Sequence, residues 1–185
     1  MSRWAHVTGS VRYDCSYHKD EEIKKLLGKI YRWGDSRKFK YGSPEWESYY
    51  EEWESCFDLT TDHIPMGSEG SLEYLITHDG ITPDEDGHVS CCADTAVLIW
   101  GDLRGVDDND IDYIKKWFHR ITCNNKFLIR QAILQIDDEY SNKFIVLQYY
   151  QYWDSKIKKF VGTIIEKKIQ KKITMTKEVI KDESR

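Results

Sequence analysis

Six histidines and five cysteines are the side chains best able to do chemistry in this chain, and their spacing decides what that chemistry would be. Cys15-x-x-His18 and His88-x-x-Cys91, with Cys92 beside the latter, could supply soft and borderline ligands of the kind zinc takes. The spacing is that of no standard finger or ribbon, and both pairs fall in loops that need not meet. Inert thiols are the default, so neither a metal nor another cofactor is expected. His6, His63, His78 and His119 stand outside any family-type motif around a Ser or Cys nucleophile. Asp102 and Arg104 follow a strand that reads as buried, a place where sheets carry sites, and with His119 they form the best candidate for a small enzyme or ligand binder. A structural ion pair tying the strand end to a helix cap at Asp107 accounts for Asp102 and Arg104 equally well. No catalytic residue is assigned, and a non-enzymatic protein is expected.

Acids carry the alternative. Residues 45–62 hold seven acidic residues and no basic one around Trp46, Tyr49, Tyr50, Trp53 and Phe57. At helical spacing the aromatic stripe is expected to be core, with the glutamates on a solvated outer face. That outer face is the candidate partner-binding surface: Glu45, Glu47, Glu51, Glu52, Glu54 and Asp58, joined by Asp84, Glu85 and Asp86 of a later loop. Carboxylates placed where phosphates would otherwise lie suit a basic protein or ribonucleoprotein partner, with aromatic anchors beside them.

Charge supports the same partner class. The chain of 185 residues carries a net charge of −5, but residues 151–185 hold ten Lys/Arg against five Asp/Glu, so the preceding body is more acidic still. An acidic body repels a phosphate backbone, and direct nucleic-acid contact is expected only through the lysine-rich C-terminus. A lysine-protected edge strand explains those lysines more simply. Met66-Gly67-Ser68-Glu69-Gly70-Ser71 could cradle an anion, yet it lacks a phosphate-loop Lys and no helix follows, so a tight turn feeding a strand is expected. The odd cysteine count, the absence of an apolar leader and the lack of a long apolar run point to a cytoplasmic protein with no membrane partner.

These residues need elements to hold them. Alternation over 3–13 predicts a strand, with a bulge at Gly9. Asp20-Glu21-Glu22 opens a helix whose stripe is Ile23, Leu26, Leu27 and Ile30, with Gly34 as its stop. Ser43-Pro44-Glu45 starts a second helix. Strands follow at 71–78 and at 96–100, the latter an apolar run expected to be buried on both faces. Asp107-Asp108-Asn109-Asp110 caps a third helix carrying Ile111, Ile114, Trp117, Phe118 and Ile121. Strands at 132–136 and 144–152 flank a Ser141-Asn142 turn, and 159–165 reads as a strand or an irregular helix. With one extra helix set aside, the order β-α-β-β-α-β predicts an α+β, ferredoxin-like fold, its mostly antiparallel sheet covered by helices on one face. One domain over 1–165 and a partly frayed lysine-rich extension over 166–185 are expected.

Three stretches resemble small orphan proteins of phages and mobile elements of Gram-positive bacteria. They are Trp4-Ala5-His6-Val7-Thr8-Gly9, Pro65-Met66-Gly67-Ser68-Glu69-Gly70-Ser71-Leu72, and Ile99-Trp100-Gly101-Asp102-Leu103-Arg104 with Ile114-Lys115-Lys116-Trp117-Phe118 downstream. The resemblance implies a class rather than a chemistry: inhibitors of host defence, including anti-CRISPR proteins, that occupy an effector surface in the host cytoplasm. It carries over no functional residue. An immunity protein that blocks a toxin is the other non-enzymatic expectation.

Overall fold

The first strand, β1 (Trp4–Asp14), alternates as its sequence does, and the two sides of that alternation meet different surroundings. Ala5, Val7, Val11 and Tyr13 are buried, while His6, Thr8 and Arg12 are exposed. The computed structural model describes residues 2–14, 20–30, 38–55, 63–78, 94–124, 127–157 and 159–171. Within them follow α1 (Asp20–Leu27), α2 (Pro44–Ser55), β2 (Glu73–His78), β3 (Asp94–Arg104), α3 (Asp108–Thr122), β4 (Leu128–Asp138), β5 (Lys143–Asp154) and β6 (Lys159–Gln170). The chain is α+β, and its six strands form one open antiparallel sheet in the order β2-β3-β1-β4-β5-β6.

One face of the sheet carries the core. Val97, Ile99, Leu103, Ile129, Ala132, Leu134, Ile136 and Leu147 join the buried side of β1 and pack with Ile23 and Leu27 of α1 and with Ile111, Ile114, Trp117, Phe118 and Ile121 of α3. Each Val, Leu, Ile or Phe among them, fully buried, contributes about 1.5–3 kcal/mol. Among the described residues, the polar ends of the buried aromatics are all used. Trp117 Nε1 donates to the Leu27 carbonyl at 2.8 Å, joined by Arg120 Nη2 at 3.2 Å. Both close off a carbonyl left open at the α1 C-terminus, so α3 caps α1. Tyr13 donates to the Ile121 carbonyl and Tyr113 to that of His63.

Local signals explain the boundaries. Asp107 forms a capping box with Asp110: its carboxylate accepts from the Asn109 and Asp110 N–H groups, and its own N–H donates to the Asp110 carboxylate. Such a cap is worth about 1 kcal/mol. α1 stops at Gly28, whose φ of 102° takes the left-handed conformation while its N–H bonds to the Lys24 carbonyl, and not at Gly34. Ile30 therefore reaches the core from beyond the helix end.

Three further expectations are corrected. Gly9 is not a bulge; the β1–β4 register shifts between Arg12 and Tyr13. Gly9 is instead a close-approach position, because a Cβ there would lie 2.5 Å from the Ile133 carbonyl oxygen. β3 is not buried on both faces: Val97 and Ile99 are covered, but Leu98 and Trp100 are exposed. It also does not end at Gly101, since residues 101–104 stay paired with β1 and the chain turns only at Gly105. The 159–170 segment is a strand, and Lys167 and Lys168 pair there with Val146 and Ile145 rather than leaving the sheet.

Candidate functional site

The acidic helix forms as its cap predicts. The Ser43 hydroxyl accepts from the Trp46 N–H at 3.2 Å, and Pro44 takes the first helical position. Backbone N–H donation at this helix start, together with the Ser43 side chain, holds the Glu45 carboxyl below its ordinary range. The aromatics do not behave as expected. Trp46, Tyr49 and Tyr50 are only half-buried, and none of the described α2 side chains belongs to the core. They pack on one another and on the preceding turn: Trp46 stacks on Tyr50 with ring centroids 5.0 Å apart, Tyr41 leans on Trp46 at 4.7 Å, and Phe39 on Tyr49 at 5.6 Å. Glu45, Glu47, Glu51 and Glu52 are exposed beside this cluster. Glu52 accepts from Lys29 Nζ at 2.6 Å, which ties the helix back to the end of α1. An open depression of about 450 Å³ is lined by Phe39, Pro44, Glu45, Ser48, Tyr49 and Glu52. Of the other candidate acids, Glu54 lies in the last turn of α2, and Asp58, Asp84, Glu85 and Asp86 lie outside the described residues.

Asp102, Arg104 and His119 are not brought together. Asp102 and Arg104 lie within β3 on the face away from the helices, whereas His119 is an exposed residue of α3. Asp102 instead meets His6, its register partner on β1: His6 Nδ1 is 2.6 Å from Asp102 Oδ1, and His6 Nε2 is 3.7 Å from Glu139. The Asp102 hydrogen bond, aided by Glu139, raises the His6 pKa above its ordinary value. Carboxylates at both ring nitrogens favour imidazolium, whereas a general base needs a neutral ring with one nitrogen free to take a proton. Arg104 does not reach the Asp107 cap. It pairs with Glu69 and lies over the Trp4 ring, 5.9 Å from its centroid. With Ser2, Glu139 and Tyr140, Trp4 and Arg104 line an open depression of about 550 Å³.

The Met66–Ser71 segment is a pairing device, as a tight turn would be. Gly67 N–H bonds to the Gly70 carbonyl, Ser68 N–H to the Arg104 carbonyl, and Arg104 N–H to the Glu69 carbonyl. Those groups are spent on the chain itself rather than held for an anion. Gly70, at φ 78°, and Gly67 lie against the β3 backbone, where any Cβ would strike Asp102 or Arg104.

A second charged cluster is structural. Arg3 forks onto Asp138 through Nε at 2.9 Å and Nη2 at 2.6 Å and also reaches Asp108 at 2.8 Å. Lys171 donates to the Asp138 carbonyl, so β1, α3, β4 and the end of β6 are pinned together. Arg3 holds the nearly buried Asp138 carboxyl below its ordinary range.

Cys15, His18, His88, Cys91 and Cys92 lie outside the described residues. Among the described residues, no group of three or more His, Cys, Asp or Glu is placed to hold a metal ion. No described helix is long and apolar enough to cross a membrane. Comparison of the chain with family models, with curated proteins and with solved structures returned no match.

Proposed function

We propose that this chain is a non-enzymatic binding protein that uses the acidic, aromatic surface of α2 to occupy a basic surface on a protein or ribonucleoprotein. The observation that carries this is the placement of α2: its rings stack on each other outside the core, with Glu45, Glu47, Glu51 and Glu52 exposed around them. Half-exposed aromatics supply burial on contact, and the carboxylates supply attraction and orientation. The partner class that the phage-like stretches imply is a host nucleic-acid-processing or defence complex in the cytoplasm, such as a CRISPR effector, whose nucleic-acid groove is basic. Inhibition would follow from occupying that groove. Direct nucleic-acid contact, if made, would use the C-terminal lysines.

We also infer a ferredoxin-like core. The β2-β3-β1-β4 order, with α1 and α3 between strands on the covered face, is that of the split β-α-β arrangement, extended here by the β5–β6 hairpin. The functional proposal is tested by measuring association with purified basic effectors, a CRISPR nuclease among them, across a salt series. Binding should be tight at low salt and weaken as salt rises, because exposed charges are screened over roughly 8–10 Å at moderate ionic strength. Failure to associate with any of them at low salt overturns it.

A further inference from the structure

The sheet face opposite the helices has no described element packed over it, and its composition differs from that of the acidic body. Large apolar side chains stand exposed along it: Leu75 at 50%, Leu98 at 43%, Ile133 at 38% and Ile165 at 41%. Strand register puts these four in one row across the sheet, Leu75-Leu98-Ser10-Ile133-Gln148-Ile165. Trp100 flanks the row one pair away on β3, and Tyr150 and Tyr152 extend it on β5. Most charges on the face have a partner nearby: His6 with Asp102 and Glu139, Lys171 with Asp137, Arg130 with Asp14, Arg104 with Glu69, and Lys167 over the Tyr150 ring.

We propose that this open face is the docking surface for a second copy of the chain, packed sheet face to sheet face. Charge selects the occupant. Two copies, each of net charge −5, repel one another over most approaches, but this face, where acids and bases largely offset, lessens the repulsion where they touch. A basic partner gains little from the same neutral surface, and the acidic body disfavours a nucleic acid. The size also fits. Six strands at a spacing of about 4.8 Å, with about seven residues of each at a rise of about 3.3 Å, give the whole face, polar positions included, a projected area on the order of 700 Å², comparable to the roughly 800 Å² that one partner contributes to a stable interface. The row is suited to an isologous contact. A two-fold axis along the strands, between β1 and β4, superposes the two sheets fully and sets Leu75 of one copy against Ile165 of the other.

Sedimentation equilibrium of the full chain tests this. The expected result is a mass that approaches twice 22.0 kDa as concentration rises and is unchanged by high salt. Leu98→Glu and Ile133→Glu should each return it to the single-chain mass with the far-ultraviolet dichroism intact. Should either fail to fold, the milder Leu98→Gln should weaken association at least tenfold. Glu47→Lys should leave the dimer untouched, which separates this face from the α2 surface. A single-chain mass at every concentration overturns the proposal, as does a dimer that survives Leu98→Glu. A monomer that binds a single-stranded oligonucleotide through Trp100 overturns it as well, by assigning the face to a different occupant.

Discussion

His6 on β1 and Asp102 on β3 face each other at one register step of the sheet, with the ring Nδ1 2.6 Å from the carboxylate, although 96 positions separate them in the chain. The pair raises the His6 pKa, so a histidine proton-resonance titration should place His6 above the ordinary value for the side chain, and Asp102→Asn should bring it down. The linkage has one sign. A raised folded pKa stabilises the fold fully below the unfolded value, and the contribution is lost as pH rises through the folded value. Because the ring is 44% exposed, that contribution is small. An unshifted His6, or one unmoved by Asp102→Asn, contradicts the pairing.

Arg3→Ala should destabilise the protein by about 1–3 kcal/mol in urea unfolding, since it strands a nearly buried carboxylate. Asp138 has a lowered folded pKa, so its contribution is present above the unfolded carboxylate value and disappears as pH falls through the folded one. Removing Arg3 should therefore flatten the acid limb of the stability profile. An acid limb that stays as steep in the variant would show that Asp138 draws its stabilisation from elsewhere.

Gly9→Ala should cost about 1–3 kcal/mol through overpacking, because the new methyl would meet the Ile133 carbonyl and the Leu134 side chain. Thermal unfolding of the variant checks this. A melting temperature equal to that of the native chain would mean that β1 and β4 separate at Gly9 without penalty.

What could be seen in the sequence follows from which signals are local. The Asp107–Asp110 box and the buried stripe of α3 are set within a few residues, and both were readable. Pairing register is not local, so nothing around His6 announced Asp102. Glycine misled twice. Gly101 reads as a strand end but is a site where Ser71 and Leu72 cross β3 too closely for a side chain. Gly34 reads as a stop because Ile30 continues the helical spacing, although Gly28 already ends the helix. Periodicity misled at α2, where an amphipathic pattern says which residues share a face but not whether anything covers it.

The placement of α2 outside the core has its own consequence. Trp46→Ala should change global stability by no more than about 1 kcal/mol, against the 3–5 kcal/mol typical of a core Trp. Trp117→Ala is the internal comparison, since Trp117 is buried in the core and bonded to Leu27. Equal losses for the two would move α2 into the core and leave its surface without aromatic anchors for a partner.

Association of the full chain with a basic effector, compared with that of a Glu47→Lys/Glu51→Lys variant by calorimetry across a salt series, bears on the acidic-surface proposal most directly. The native chain should bind at low salt with affinity that falls as salt rises, and the charge-reversed chain should lose at least tenfold. Equal binding by the two, or none by the native chain at low salt, would contradict it.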